Sequence, residues 1–181
     1  MATVAAGQAG RAAAQDPGAA WDGLRELAAR APHDRDGALA ELDRRFLAGR
    51  ASEGIDGELE GLVVAFAAHP ALDRAAAALA RRVMPWSGKR FDASAGRGEN
   101  LMLGGRASGF GFRTRVERSA LHPGLDVLVL DYGAVRRNPR PVRQVRDELV
   151  EIAPGVHLGA ALVRRRGRLS LTAWWALRRR G

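Results

Sequence analysis

The spacing of apolar positions along the chain changes near Pro85. Before this residue they recur every three or four positions, as on one face of a helix, and after it they alternate, as on a strand. The first pattern predicts helices over residues 19–30, about 34–48 and 72–84, which end at Pro32, Gly49 and Pro85. The first two are amphipathic, so we expect them to pack on the outside or mouth of the second half.

The second pattern predicts about eight short strands. They cover residues 58–67, 89–92, 100–103, 110–118, 125–132, 142–152, 156–163 and 169–177. Turn signals such as Pro154-Gly155 separate them and no crossover helices are interleaved, which favours an antiparallel sheet. The predicted fold class is therefore mainly β (α+β), a single small antiparallel barrel. A half-open sheet wrapped around the helix over 72–84 is the alternative.

These patterns divide the chain into three parts. Residues 1–18, rich in Ala, Gly and Gln, are predicted to be a disordered tail, residues 19–49 are the N-terminal helices, and residues 50–178 are the barrel domain, including the helix over 72–84. No window approaches the ~18 apolar residues of a membrane span, and the start lacks a signal-peptide pattern. We therefore expect a cytoplasmic protein. The absence of cysteine excludes disulfides, thiolate metal sites and cysteine nucleophiles.

Three stretches carry a family resemblance over roughly residues 40–178. They are Gly57-Glu58-Leu59-Glu60-Gly61, Trp86-Ser87-Gly88-Lys89-Arg90-Phe91, and the tail from Asp131-Tyr132 to Val156-His157-Leu158-Gly159. Together they resemble the small bacterial GxWxG family, with Leu59 in place of the namesake tryptophan. The resemblance implies a calycin- or lipocalin-like barrel, and by fold analogy a small-molecule ligand.

The net charge of +9 belongs to the last quarter of the chain. Residues 133–181 contain 12 arginines against Asp147, Glu148 and Glu151, whereas the charges of residues 1–132 cancel. Such a run attracts nucleic acid or other anions, or is simply a solvated surface, which is the interpretation we favour. Trp174-Trp175 beside the terminal arginines resembles a stacking platform for bases, but aromatic and basic residues are not interleaved over several strands. Nucleic acid is therefore not the expected partner.

Two segments offer candidate site residues with alternatives that the sequence leaves open. Trp86 either stacks on a ligand at the barrel mouth or plugs the barrel end, and Lys89, the only lysine, either binds an anionic group or lies on the surface. Asp131 and Tyr132 point to opposite faces of their strand, and each is a candidate acid or base or a structural partner.

The strand over 142–152 mixes charged and apolar residues on both faces. If this strand lines a cavity, either Arg146 and Glu148 or Asp147 point into it, with an internal ion pair as the structural alternative. The four histidines lack the spacing of a metal site, and no phosphate-loop or nucleophile-elbow motif occurs, so no metal or cofactor is expected.

The leading interpretation is a binding protein for one apolar or amphipathic small molecule. Six residues are the candidate ligand contacts: Trp86, Phe112, Tyr132, Arg146, Glu148 and Trp175. The first alternative is an isomerase or cyclase of a lipophilic, polyketide-like substrate that uses Asp131, Tyr132 or Glu148 as acid or base. The second is electrostatic binding of nucleic acid. The sequence leaves the ligand, the reaction and the oligomeric state open.

Overall fold

The structure, a computed structural model, describes residues 16–67 and 86–179. The first 15 residues of the predicted tail and the whole predicted helix over 72–84 lie outside the described residues. Asp16, Pro17 and Gly18, which were assigned to the tail, belong instead to the start of the first helix.

Two N-terminal helices form where the apolar spacing predicts them. Helix α1 (Pro17–Arg30) begins at Asp16, whose carboxylate accepts hydrogen bonds from the Gly18 and Ala19 amides. Helix α2 (Arg35–Ala48) begins at Asp34, whose carboxylate accepts from the Gly37 amide. In the described part of the chain, neither helix is long and apolar enough to cross a membrane.

The rest of the described chain is a nine-stranded antiparallel sheet. Its strands are β1 (Arg50–Ala51), β2 (Gly57–Phe66), β3 (Trp86–Asp92), β4 (Arg97–Met102), β5 (Ala107–Arg118), β6 (Asp126–Asp131), β7 (Val145–Ala153), β8 (Val156–Arg165) and β9 (Arg168–Arg179).

Strands β2 to β9 form a closed eight-stranded barrel. Sequential neighbours pair from β2 to β8, while β9 lies between β2 and β8, so every one of the eight has two partners. This confirms the predicted antiparallel barrel, consistent with a small calycin-like fold, and excludes the half-open sheet. The ninth strand, β1, lies outside this barrel, in a segment predicted to be a loop. Its residues Arg50 and Ala51 pair with Glu151 and Val150 of β7.

The barrel wall separates two apolar cores. The outer core lies between the helices and the barrel and contains Leu24, Leu42, Phe46 and Trp174, all buried. Leu47 of the second helix lies outside this core and is exposed. The inner core lies inside the barrel and is formed by residues that alternate with the outer ones along the strands.

Candidate functional site

Lys89 lies inside the barrel, and its side chain is only 3% exposed. Strand alternation places it there, because Phe91 on the same face belongs to the inner core, whereas Arg90 points outward to Glu58 and Glu99. The structure therefore excludes the surface interpretation of this lysine. A buried lysine requires polar partners, since burying an unpaired ammonium is strongly unfavourable.

Three polar side chains surround the Lys89 ammonium. Its Nζ donates to Asn100 Oδ1 at 2.8 Å, to the Tyr132 hydroxyl at 2.6 Å and to Asp147 Oδ2 at 3.0 Å. The Tyr132 hydroxyl in turn lies 3.1 Å from Asp147 Oδ2. We call these four residues the Lys89 cluster. It brings an amine, a phenol, an amide and a carboxylate together within hydrogen-bond distance.

Four aromatic rings enclose the same ammonium. The distance from Lys89 Nζ to the ring centroid is 4.6 Å for Trp175, 5.3 Å for Phe112 and for Tyr132, and 5.6 Å for Trp86. All lie within the range of cation–π attraction. We call these four residues the aromatic cage.

Trp86 differs from the other cage members because it is only partly buried. Its indole Nε1 donates to Asn100 Oδ1 at 3.2 Å, so the ring is tied to the Lys89 cluster. As the first residue of β3, it lies at the barrel end where β2 finishes. Trp86 and its partner Asn100 are thus the partly buried members of the site.

Burial shifts the pKa values of two members of the Lys89 cluster, Lys89 and Tyr132. Desolvation lowers the pKa of Lys89, and the neighbouring Asp147 charge opposes this only in part. Desolvation, together with the charge of Asp147, raises the pKa of Tyr132 well above its ordinary value. The phenol therefore keeps its proton and acts as a donor, while the amine loses its proton more readily than an exposed lysine does.

Glycines in the barrel wall make room for the aromatic cage. A Cβ atom at Gly61 would lie 2.4 Å from the Trp86 ring, and one at Gly159 would lie 2.4 Å from the Trp175 ring. A Cβ atom at Gly98 would lie 2.5 Å from the Phe112 ring. Because real Cβ atoms essentially never come this close, these positions require glycine for the rings to occupy their places.

The structure brings four of the six predicted ligand contacts together. Trp86, Phe112, Tyr132 and Trp175 are the aromatic cage itself. Arg146 and Glu148 lie elsewhere: Leu149 belongs to the inner core and Val150 to the outer one, so alternation turns Asp147 inward and Glu148 outward. Of the two alternatives for this strand, the inward residue is Asp147.

Glu148 forms a structural network on the outer face of the barrel. Its carboxylate is fully buried and accepts from Ser119 Oγ at 2.5 Å, the Ala120 amide at 2.7 Å and Arg146 Nε at 2.9 Å. Arg146 also donates to Glu117 at 2.9 Å. These contacts fix the β5–β6 connection against β7.

Asp131 likewise faces away from the interior. Its carboxylate accepts a hydrogen bond from Arg115 at 2.9 Å. It also accepts from the Gly133 and Ala134 amides and so caps the turn that follows β6. The acid–base role considered for Asp131 and Glu148 therefore has no geometric support, and Tyr132 with Asp147 takes that position inside the barrel.

Asn100 is the member of the site that sequence reasoning missed. It pairs directly with Lys89 in the β3–β4 hairpin. The strands on either side of the Gly-rich turn were predicted, so extending their register would have placed Asn100 opposite Lys89. From the turn to the Lys89–Asn100 pair this register is regular, and the bulges lie outside it, between Trp86 and Gly88 and in the pairing of β4 with β5.

His157 faces inward on β8 but belongs to a separate polar contact. Its Nδ1 lies 2.9 Å from Ser52 Oγ, and burial lowers its pKa to about 4. It is thus a buried histidine that is neutral at pH 7. In the ranges 16–67 and 86–179, no group of three His, Cys, Asp or Glu side chains forms a metal-binding arrangement.

Much of the positive charge lies at the barrel end that carries Trp86. Connections in an antiparallel barrel alternate between its two ends, so the β6–β7 and β8–β9 connections share the end where β3 begins. These connections and the adjoining ends of β8 and β9 carry seven exposed arginines, none of which forms an ion pair with another described residue: Arg136, Arg137, Arg140, Arg164, Arg165, Arg166 and Arg168. We call this set the arginine rim.

The tryptophans do not form a surface for stacking bases. Trp174 and Trp175 are 1% and 5% exposed, one in the outer core and one in the aromatic cage. Neither ring therefore offers single-stranded nucleic acid an exposed face beside the arginine rim.

Comparison with known proteins adds evidence on the fold. No protein-family model and no curated protein matches the chain. A crystal structure of a protein from Thermomonospora curvata is similar, with a TM-score of 0.50 and 19% sequence identity over 88% of this chain and 99% of that one. At this identity the similarity shows a shared fold and nothing about function.

Proposed function

We propose that this barrel binds one small, lipophilic molecule in its interior, with the ligand's polar group at the Lys89 cluster and its apolar body against the aromatic cage. The observation that carries the proposal is the enclosure of an ammonium by four rings and three polar side chains. A pair such as Lys89 and Asp147 contributes little to stability compared with apolar side chains of similar size. Its presence in the centre of a small barrel therefore favours a functional role.

The charge balance of the cluster limits the ligand's polar group. The Lys89 ammonium is already neutralised by Asp147 at 3.0 Å, so a carboxylate or phosphate would introduce an uncompensated buried charge. A neutral carbonyl, hydroxyl or amide would replace one of the existing hydrogen bonds without that cost. We therefore infer a neutral, amphipathic ligand that enters beside the partly buried Trp86.

Binding is tested with N-phenyl-1-naphthylamine, a neutral lipophilic dye whose fluorescence rises in apolar surroundings. A neutral dye is needed because anionic dyes would adsorb to a chain of net charge +9. We expect saturable binding that Trp175→Phe weakens. The matched control is Trp174→Phe, the same substitution on the adjacent residue that faces the outer core.

The two variants make the outcome decisive. Equal loss of dye binding in both would show that the dye reports stability and not the interior site, and absence of saturable binding to the unaltered chain would refute the proposal. Native mass spectrometry of protein purified from its host tests it independently, since a co-purified neutral molecule that Trp175→Phe releases is the expected result.

One observation favours the enzyme alternative in a revised form. Tyr132 and Asp147 converge within 3.1 Å, which is the arrangement that proton transfer between a donor and an acceptor requires. An isomerase would use Asp147 as base and Tyr132 as acid. Conversion of a β,γ-unsaturated ketone to its conjugated isomer, followed by absorbance and abolished by Asp147→Asn, tests this activity.

The relationship to the GxWxG family stays a prediction, and three local roles support it. Gly61 and Gly159, from the first and third motif-like stretches, give space to the Trp86 and Trp175 rings. Gly88, from the second, has φ +145 and a Cβ there would lie 2.0 Å from the Leu59 carbonyl. Leu59, at the position of the namesake tryptophan, lies in the inner core.

A further inference from the structure

The geometry points to Lys89 as a covalent anchor: we propose that its Nζ condenses with an aldehyde or ketone carried by the bound molecule to form an imine inside the barrel. This inference rests on the proposed binding function and narrows the ligand to a lipophilic carbonyl compound. Four observations support it, and each concerns a different requirement of the reaction.

The first is the identity of the residue. The chain uses arginine for 28 of its 29 Lys and Arg positions, and its one lysine occupies the barrel interior. Arginine would supply the same positive charge, but it stays protonated in proteins and cannot act as a nucleophile. A lysine at this one buried position therefore provides what arginine cannot, an amine able to lose its proton.

The second is the availability of that neutral amine. Asp147 Oδ2 lies 3.0 Å from Nζ and can accept a proton from it. Burial also lowers the pKa of Lys89, which increases the fraction of amine with a free electron pair. Lysines that form Schiff bases are activated in this way, by desolvation in an apolar pocket.

The third is a proton donor for the carbonyl oxygen. The Tyr132 hydroxyl lies 2.6 Å from Nζ, so it is also close to any atom that forms a bond to Nζ. Its raised pKa keeps it protonated. The Trp86 indole N–H, which binds the same Asn100 oxygen as the lysine, is a second donor at the entrance.

The fourth is protection of the product. The four rings of the aromatic cage surround Nζ at 4.6 to 5.6 Å and limit water at the imine. The Asp147 carboxylate is placed as the counter-ion of a protonated imine, as it is of the ammonium now.

The chemical step balances without an added oxidant or reductant. The ammonium first gives one proton to Asp147, and the nitrogen electron pair then forms a bond to the carbonyl carbon while the oxygen takes a proton from Tyr132. The nitrogen of this addition product still carries two protons, and one of them returns to Tyr132, which leaves the neutral carbinolamine. The carbinolamine then loses its hydroxyl as water, using the proton held by Asp147, while the nitrogen electron pair forms a double bond to carbon. The nitrogen keeps its last proton, so the product is the protonated imine, paired with the Asp147 carboxylate.

Reductive trapping tests the inference in the intact chain. The protein is incubated with decanal and sodium cyanoborohydride at neutral pH, and the secondary amine that forms is located by peptide mass spectrometry. We expect one adduct at Lys89, together with slower modification of the chain's α-amino group. Lys89→Arg, which preserves the positive charge opposite Asp147, removes the Lys89 adduct.

A matched control uses the next residue on the same strand. Arg90→Lys introduces an exposed amine on the outer face while Lys89 remains, so the two amines compete for decanal within one molecule. We expect Lys89 to react at least about tenfold faster, because burial lowers its pKa and leaves more of the amine neutral. Concentrated urea abolishes the difference if it depends on the folded barrel.

The outcomes separate this inference from the binding proposal. Decanal reacting at the introduced lysine as fast as at Lys89, or at the α-amino group alone, refutes the imine. If saturable binding of N-phenyl-1-naphthylamine persists in that case, the binding proposal stands without it. If neither reaction nor dye binding occurs, both fail.

Discussion

Lys89 Nζ and Asp147 Oδ2 lie 3.0 Å apart in the interior of the barrel, with side chains only 3% and 5% exposed. Asp147 is placed there by its register on β7, opposite Leu130 of β6 and Ala161 of β8. The two charges neutralise each other at a place where neither can be solvated, so each is required by the other.

The first prediction concerns the cost of separating this pair. Lys89→Met leaves the Asp147 carboxylate buried without its cation, and we expect the free energy of unfolding to fall by about 3–5 kcal/mol. Lys89→Met combined with Asp147→Leu should recover most of the loss, because the whole pair is then replaced by apolar side chains. Both are measured by equilibrium denaturation in urea.

Arg90→Met is the control for this series. It removes the neighbouring cation, which forms surface ion pairs with Glu58 and Glu99, and surface pairs contribute about 0–1 kcal/mol. A double variant as unstable as Lys89→Met alone would contradict the account, since it would mean that packing, and not the unpaired charge, causes the loss.

The second prediction concerns the space that Gly61 provides for Trp86. The Cβ introduced by Gly61→Ala would lie 2.4 Å from the ring, so the indole must move. We expect a loss of about 1–3 kcal/mol in unfolding free energy, typical of overpacking, and weaker binding of N-phenyl-1-naphthylamine. Gly124→Ala is the control, because no atom lies within 4 Å of its Cβ position.

A second substitution identifies the cause. If the clash with the indole is responsible, Trp86→Ala in the Gly61→Ala background should cost less than Trp86→Ala alone. Additive losses would mean that Gly61 is needed for its backbone conformation and not for the ring.

The sequence predicts those features of the fold that depend on neighbouring residues, and it misses those that depend on contacts between distant residues. Alternation and turn residues are local signals, and they locate all eight barrel strands. Strand β1 escapes because two residues carry no periodic pattern; only the pairing of Arg50 with the distant Glu151 defines it.

The site was predictable only in part, for the same reason. The four aromatic residues among the six predicted ligand contacts lie together around Lys89. Charged and apolar residues are mixed on both faces of β7, so its sequence does not tell whether Asp147 or Glu148 points into the barrel. The inner and outer cores decide this, and they depend on the closure of the barrel. Asn100 is missed because the predicted second strand of that hairpin begins at residue 100, whereas β4 begins at Arg97.

The third prediction is a loss of stability in mild acid from His157. Burial lowers its pKa from 6.5 to about 4 in the folded state, so between these values the unfolded chain binds a proton that the folded chain does not. Stability contributed by the neutral ring is complete above pH 6.5 and decreases as the pH falls towards 4, by about 3 kcal/mol in total.

Comparison with a variant isolates this contribution from other titrating groups. His157→Gln removes the titration but keeps a side chain able to bond Ser52, so its unfolding free energy should depend less on pH between 6.5 and 4 than that of the unaltered chain. The measurement is urea denaturation at several pH values. Parallel curves for the two proteins would show that the ring is accessible to protons in the folded state.

The fourth prediction separates the outer network from the interior site. Glu148→Gln replaces a carboxylate that accepts from Ser119, Ala120 and Arg146 with an amide whose NH₂ group must face at least one of these donors. We expect a loss of about 2 kcal/mol in unfolding free energy, in the range for hydrogen bonds to a buried charge. Dye affinity and trapping of decanal at Lys89 should not change, because Glu148 faces the outer side of the wall.

Tyr132→Phe should give the opposite result, slower trapping of decanal with a smaller loss of stability, since the phenol donates to Asp147 from inside the barrel. A Glu148→Gln protein that unfolds normally but no longer binds the dye would place the ligand against the outer network and overturn the assignment of the site to the interior.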